Sequence, residues 1–261
     1  MTSPKPTIAF FGATGGSTFS CLVPALEAGY RCAALARTPS KLRDLLIQRG
    51  VAESTITENL TIVTGTATDL EPVKETLQIG QPGSGIADLI VSGIGGKILF
   101  NNPLAPTLDN PTICQDVTKN ILAAIEQLNG GDAGQSLKKP LLIVLSTTGI
   151  SDVQRDIPLA MIPLYHWMLK VPHDDKKVME KLIIEDEGRV LGGYVIVRPS
   201  LLTGGDGTAA GDLENIRVGT EEAPAVGYTI SREDVGQWVF KYLVTKGRES
   251  QYVGKAITIT Y

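Results

Sequence analysis

The chain has only two histidines, His166 and His173, and three cysteines, Cys21, Cys32 and Cys114. Neither set has the spacing of a metal site, and three thiols cannot all pair, so buried free cysteines in a reducing compartment are expected. Basic residues (24) are outnumbered by acids (28), giving a formal net charge of −4. The pairs Lys138-Lys139 and Lys176-Lys177 are too short to form the concentrated positive face that nucleic-acid phosphates require. No nucleic-acid partner is expected. A long apolar run is also missing. The most membrane-like stretch, residues 157–172 (IPLAMIPLYHWMLKVP), is interrupted by Pro163 and falls short of the ~20 residues a spanning helix needs. The first residues, MTSPKPTIAFFGATGG, lack the apolar core of a secretory signal, because the short run leads straight into glycines. These absences point to a cytoplasmic chain with no membrane span.

The composition that remains is globular, with 43% hydrophobic and 20% charged residues, enough for one substantial core over 261 residues. Short apolar runs alternate with helical patterns. Strands are expected at 7–11 (TIAFF), 31–36, 60–64 (LTIVT), 89–92 (LIVS), 141–145 (LLIVL) and 194–197 (YVIV). Helices are expected at 17–28, from a cap at Ser40, at 71–77, 112–128 and 174–187. Near-continuous apolar strands are the mark of a parallel sheet covered on both faces. The fold expected is therefore α/β, a doubly wound parallel sheet (Rossmann-like) with helices on both faces. It reads as one domain over 1–261, with a substrate-pocket region from about 151–172 and 203–228. The glycine-rich stretches 130–134 and 203–211 read as flexible loops within it.

The sharpest motif is FFGATGGSTFS, residues 10–20. A strand, then Gly12-x-x-Gly15-Gly16, then a helix is the setting of a dinucleotide-binding turn. Gly12 would make the tight turn and Gly15 would let the backbone approach a pyrophosphate, whose charge the helix start favours. Thr14, Gly16, Ser17 and Thr18 belong to the same loop, the last two offering hydroxyls. Thr18 stands where a third glycine is usual, which suggests a wider helix–strand approach or an extra phosphate contact. A plain glycine turn is the alternative. The second strand ends Ala36-Arg37-Thr38-Pro39-Ser40-Lys41 and lacks the acid that would hold a ribose 2′-hydroxyl. Arg37 instead carries a planar fork suited to a 2′-phosphate, so NADP(H) is the expected cofactor. A local surface salt bridge is the other reading of Arg37.

GATGG after the first strand, the arginine ending the second, and Gly65-Thr66-Ala67-Thr68-Asp69 after the third resemble the atypical short-chain dehydrogenase/reductases. The nearest likeness is to their NAD(P)-binding NmrA-like and flavin-reductase (biliverdin reductase B)-like branch. YVIVRPSLLTGG (194–205) and ISREDVGQWV (230–239) are similar to that branch's closing strand and helix. The resemblance implies Asp69, Gly93, Lys176, Pro199 and Leu201 as further cofactor-binding positions. It also implies a Ser after the fifth strand, matched by Ser146, and a Tyr-x-x-x-Lys pair opening the next helix. Lys176 and Glu180 fall in register, but the tyrosine position is Pro172, which has no proton to give. Tyr165 and Lys170 are five apart and do not share a helix face. Tyr165, His166 and His173 are candidate replacement acids, each with an ordinary structural role as the alternative.

The stretch 157–171 is apolar nearly all round, either as ordinary core or as a wall over a hydrophobic, aromatic substrate; a membrane-interface or dimer patch is a third reading. Three functions stay open. The first is an NADPH-dependent reductase of a small hydrophobic substrate such as a quinone, flavin, enone or polyketide-like ketone. The second is a non-redox isomerase, dehydratase or cyclase of secondary metabolism. The third is a non-catalytic NADP-sensing regulator of the NmrA kind.

Overall fold

A computed structural model describes residues 5–79, 85–101, 106–130, 138–204 and 213–261. The chain begins with β1 (Ile8–Phe11), α1 (Gly16–Glu27), β2 (Cys32–Ala36), α2 (Pro39–Gln48), α3 (Glu53–Asn59), β3 (Leu60–Thr64), α4 (Leu70–Leu77) and β4 (Leu89–Ser92). A small antiparallel hairpin follows, β5 (Ile98–Leu99) with β6 (Thr107–Leu108), leading into α5 (Ile113–Gly130) and β7 (Leu141–Leu145). Two helices, α6 (Ile162–Met168) and α7 (Lys170–Ile184), precede β8 (Gly193–Pro199), β9 (Leu201–Thr203), β10 (Arg217–Thr220), β11 (Thr229–Ser231), α8 (Arg232–Val239) and β12 (Lys255–Thr260). Eight strands form one sheet in the order β10-β12-β8-β7-β4-β1-β2-β3. All pair in parallel except β10, which runs antiparallel on β12.

Successive strand residues point to opposite faces, and here both faces are covered. Ile8, Phe10, Ala34 and Ile143 pack under α1, α2 and α8 with Leu22, Leu42 and Trp238. Ala9, Phe11, Ala33 and Val144 pack under α4, α5 and α7 with Val73, Ile121 and Met179. That double burial explains why these strands read as unbroken apolar runs. The order reverses at β1, flanked by β2 and β4, so the loops after those strands part and open a crevice at the carboxyl edge of the sheet.

All six expected strands are present in the eight-stranded sheet, where β10 and β12 are additional. The Ile-Thr alternation of β12 resembles a half-solvated edge strand. Its threonines are instead buried and bonded: Thr260 Oγ1 lies 2.8 Å from Ser200 Oγ, and Thr258 Oγ1 accepts from Ala225 N at 2.7 Å. Ser40 does not cap α2: Pro39 leads that helix after Thr38, proline being tolerated where the N–H has no helical partner. For the same reason α7 starts at Lys170 rather than 174, with Pro172 inside its first turn. Of the readings open for 157–171, ordinary core holds only in part. Ile157 and Tyr165 are buried, while Leu159, in the turn before α6, and Trp167, on α6, are exposed. The glycine stretches at 131–134 and 205–211 lie outside the described residues. Among the described residues no helix is long and apolar enough to cross a membrane. The three cysteines are free and buried, and burial pushes their thiols up, that of Cys114 to about 11.

Candidate functional site

A cavity of about 360 Å³ occupies the crevice. Its floor is Gly12, Thr14 and Gly15 after β1. One wall is Leu35, Ala36 and Arg37 at the end of β2 with Gly65–Thr68 after β3, where Thr66 Oγ1 and Thr68 Oγ1 lie 3.0 Å apart. The opposite wall is Gly93–Gly96 after β4 with Asp109, Asn110 and Ile113 ahead of α5. Of the positions read from sequence, Gly12, Thr14, Gly15, Arg37 and Gly93 line this cavity. Gly16, Ser17, Thr18, Asp69, Lys176, Pro199 and Leu201 do not. Asp69 sits just beyond the lining, exposed, at the start of α4. The wall from Ile94 to Gly96 and the pair Asp109-Asn110 were not anticipated. The run Asp109-Asn110-Pro111-Thr112 before a helical pattern is a start signal that could have flagged the pair.

The floor is built by close approach. Gly12 has φ +81°, and a Cβ there would fall 2.9 Å from Gly93 O, so both its conformation and its space require glycine. Thr18 is 2% exposed and turned inward: a Cβ on Gly93 would lie 2.0 Å from Thr18 Oγ1. The glycine expected on the helix is thus supplied by the facing strand end. The first turn of α1 carries no acid and no side-chain cap, and Ser17 Oγ is buried with no hydrogen-bond partner among the described residues. Such an orphaned group and uncapped N–H donors suit an anion. Arg37 is exposed at the rim and makes no ion pair or hydrogen bond among the described residues.

The family's catalytic positions lie beside this cavity and are occupied internally. Ser146, at the end of β7, is 5% exposed and donates its hydroxyl proton to Glu180 Oε1 on α7. Arg198 on β8 holds Glu180 through Nε at 3.1 Å and Nη2 at 2.6 Å, and reaches Glu221 through Nη1 at 2.9 Å. Burial opposes the Arg198 charge, but hydrogen bonds and attraction from Glu180 and then Glu221 outweigh it and hold the guanidinium protonated. Lys176 donates from Nζ to Leu145 O at 2.8 Å. Tyr165 is buried, its hydroxyl 3.4 Å from Thr148 Oγ1 and its ring centroid 5.5 Å from that of His173, which is buried too. The side chain of His166 lies outside the described residues. Asp156, unmarked in the sequence, joins this cluster: Oδ1 accepts from Gly149 N at 2.8 Å and Oδ2 is buried without a partner among the described residues. Burial raises its pKa, which the Gly149 N–H and Arg198 offset only in part. Among the described residues no group of three His, Cys, Asp or Glu side chains is placed to hold a metal ion.

A family model described as NAD(P)H-binding matches residues 12–246. The chain is 74% identical to "Reductase pytE" of Aspergillus terreus over 100% of both chains. It is 41% identical to "Oxidase pynE" of Aspergillus niger, over 98% of this chain and 99% of that one. Among solved structures, ChuY, titled an anaerobillin reductase from Escherichia coli O157:H7, superposes with a TM-score of 0.62 at 14% identity, covering 97% of this chain and 96% of that one. An alcohol dehydrogenase from Thermococcus sibiricus complexed with 5-hydroxy-NADP gives 0.60 at 14% identity, over 98% and 96%. At these identities the two structures are alike in fold alone.

Proposed function

The chain belongs to the NAD(P)H-binding family and is an NAD(P)-dependent reductase, and we propose that it uses NADPH to reduce a small, hydrophobic, conjugated substrate such as a quinone or flavin. The observation that carries the choice of NADPH is Arg37. It is an arginine on the cavity wall without an ion-pair or hydrogen-bond partner among the described residues, at the end of a strand that offers no acid to a ribose 2′-hydroxyl.

The residues present fit the dinucleotide. Gly12, Thr14 and Gly15 with the free N–H groups of the first turn of α1 would hold the pyrophosphate, and Arg37 the 2′-phosphate. When bound, the cofactor supplies hydride from its nicotinamide ring. The chain's part is to bind, orient and exclude water. It has little acid to offer at the family's positions. Pro172 carries no proton, the Ser146 proton is committed to Glu180, and the Tyr165 hydroxyl is buried beside Thr148. A substrate whose reduced form spreads negative charge over a conjugated system can take its proton from water, whereas an isolated ketone needs an acid at its oxygen.

The test is loss of NADPH absorbance with a panel of quinones, flavins, enones and simple ketones. Turnover with quinones or flavins and little with simple ketones is expected. Tight NADPH binding with no turnover on any member of the panel would contradict the reading and favour a non-redox isomerase or dehydratase.

A further inference from the structure

The wall of the cavity facing Arg37 carries two side chains with complementary hydrogen-bonding character. Asp109 Oδ1 is occupied, accepting from Lys97 N at 2.8 Å and from Asn110 N at 3.0 Å. Its Oδ2 has no partner among the described residues, so what it offers is an acceptor. Asn110 Oδ1 is occupied as well, accepting from Thr112 N at 3.1 Å, while the Thr112 hydroxyl gives its one proton to Asp116 Oδ2 at 2.6 Å. A backbone N–H can only donate, so the amide oxygen must face Thr112, and Nδ2 is left as a donor. Both residues line the cavity, next to each other in the chain and held rigid by the backbone they bind. An acceptor beside a donor is the complement of the adenine edge, where the exocyclic amine donates and a ring nitrogen accepts.

We propose that Asp109 and Asn110 read the adenine base of the dinucleotide, Asp109 Oδ2 accepting from the exocyclic amine and Asn110 Nδ2 donating to a ring nitrogen. The proposal rests on the reading of this cavity as a dinucleotide site and adds the group that recognises the base. The 66–68 wall offers only threonine hydroxyls, which both donate and accept and so discriminate poorly. A carboxylate does discriminate. Replacing the exocyclic amine by a carbonyl oxygen, as in the hypoxanthine analogue of NADPH, sets two acceptors against each other.

Calorimetric titration of the whole chain with NADPH and with its hypoxanthine analogue tests this. The wild-type protein is expected to bind NADPH about tenfold more tightly, in line with the discrimination of a good paired base contact. Asp109→Asn keeps an oxygen for the Lys97 and Asn110 amides and turns the free atom into a donor. It is expected to erase or invert the preference. Asn110→Asp keeps the Thr112 contact and removes the donor, and is expected to weaken NADPH several-fold. Thermal melting of each variant without ligand checks that the fold is kept. Equal affinity of the wild type for the two dinucleotides, or an unchanged preference in Asp109→Asn, overturns the base reading and leaves the cofactor assignment standing. Failure of the wild type to bind either dinucleotide overturns both.

Discussion

Replacing Arg198 by methionine is expected to cost about 3–5 kcal/mol of stability, the range for removing one partner of a buried ion pair. Arg198 is 4% exposed and grips Glu180 with two nitrogens, while its third reaches Glu221. Without it Glu180 stays in the interior with Ser146 as its hydroxyl donor and no opposing charge. The loss is thus a desolvated carboxylate and not just a missing contact. Converting Glu180 to leucine in the same chain should recover much of the loss, because an apolar pair of similar volume avoids the desolvation altogether. Urea unfolding reads the effect as a shift of midpoint at constant slope. A loss under about 1 kcal/mol, the worth of an exposed pair, would mean that the pair is solvated. The same network ties the ends of β7 and β8 to α7, so its rupture should also loosen that edge of the sheet.

Gly93→Ala is expected to destabilise the chain by about 1–3 kcal/mol, the usual cost of overpacking a filled site, and to weaken NADPH at least about tenfold. The new methyl would fall 2.0 Å from Thr18 Oγ1 and 3.0 Å from Leu145 Cδ1, and the Gly93 carbonyl already leaves no room for a Cβ at Gly12. Relief requires Thr18 to leave its rotamer, where the buried site is already filled, or α1 to move away from β4, carrying the first-turn N–H groups off the phosphate position. Adding Thr18→Ala removes the oxygen in the way and should restore both stability and affinity in large part. Thermal melting with and without NADPH separates the two effects. A single Gly93→Ala variant as stable and as tight-binding as the wild type would refute the close-packing account of the loop.

What could be read from the residues and what could not divide along physical lines. The six central strands were legible because burial on both faces leaves little room for polar residues, as in Leu141–Leu145. That Gly12 and Arg37 border one crevice was legible because each directly follows an apolar strand of the parallel sheet. The compensation between Thr18 and Gly93 was hidden, since those residues are distant in the chain and meet only when β4 pairs beside β1. Ser146 looked available from its place after a strand, and only the fold brings Glu180 and Arg198 onto it. Asp109 and Asn110 were missed because the hairpin that presents them has strands of two residues, too short for any periodicity. The apolar stretch 157–171 was ambiguous because periodicity reports an apolar face and not what covers it.

The most direct test of the assignment of this cavity is a pair of dissociation constants, for NADPH and for NADH, measured calorimetrically on the wild type and on Arg37→Asp. The wild type should prefer NADPH by at least about tenfold, a guanidinium–phosphate pair lost with NADH. Arg37→Asp should abolish or reverse the preference while NADH binding survives. Equal affinities for the two dinucleotides in the wild type, unchanged by the substitution, would contradict it.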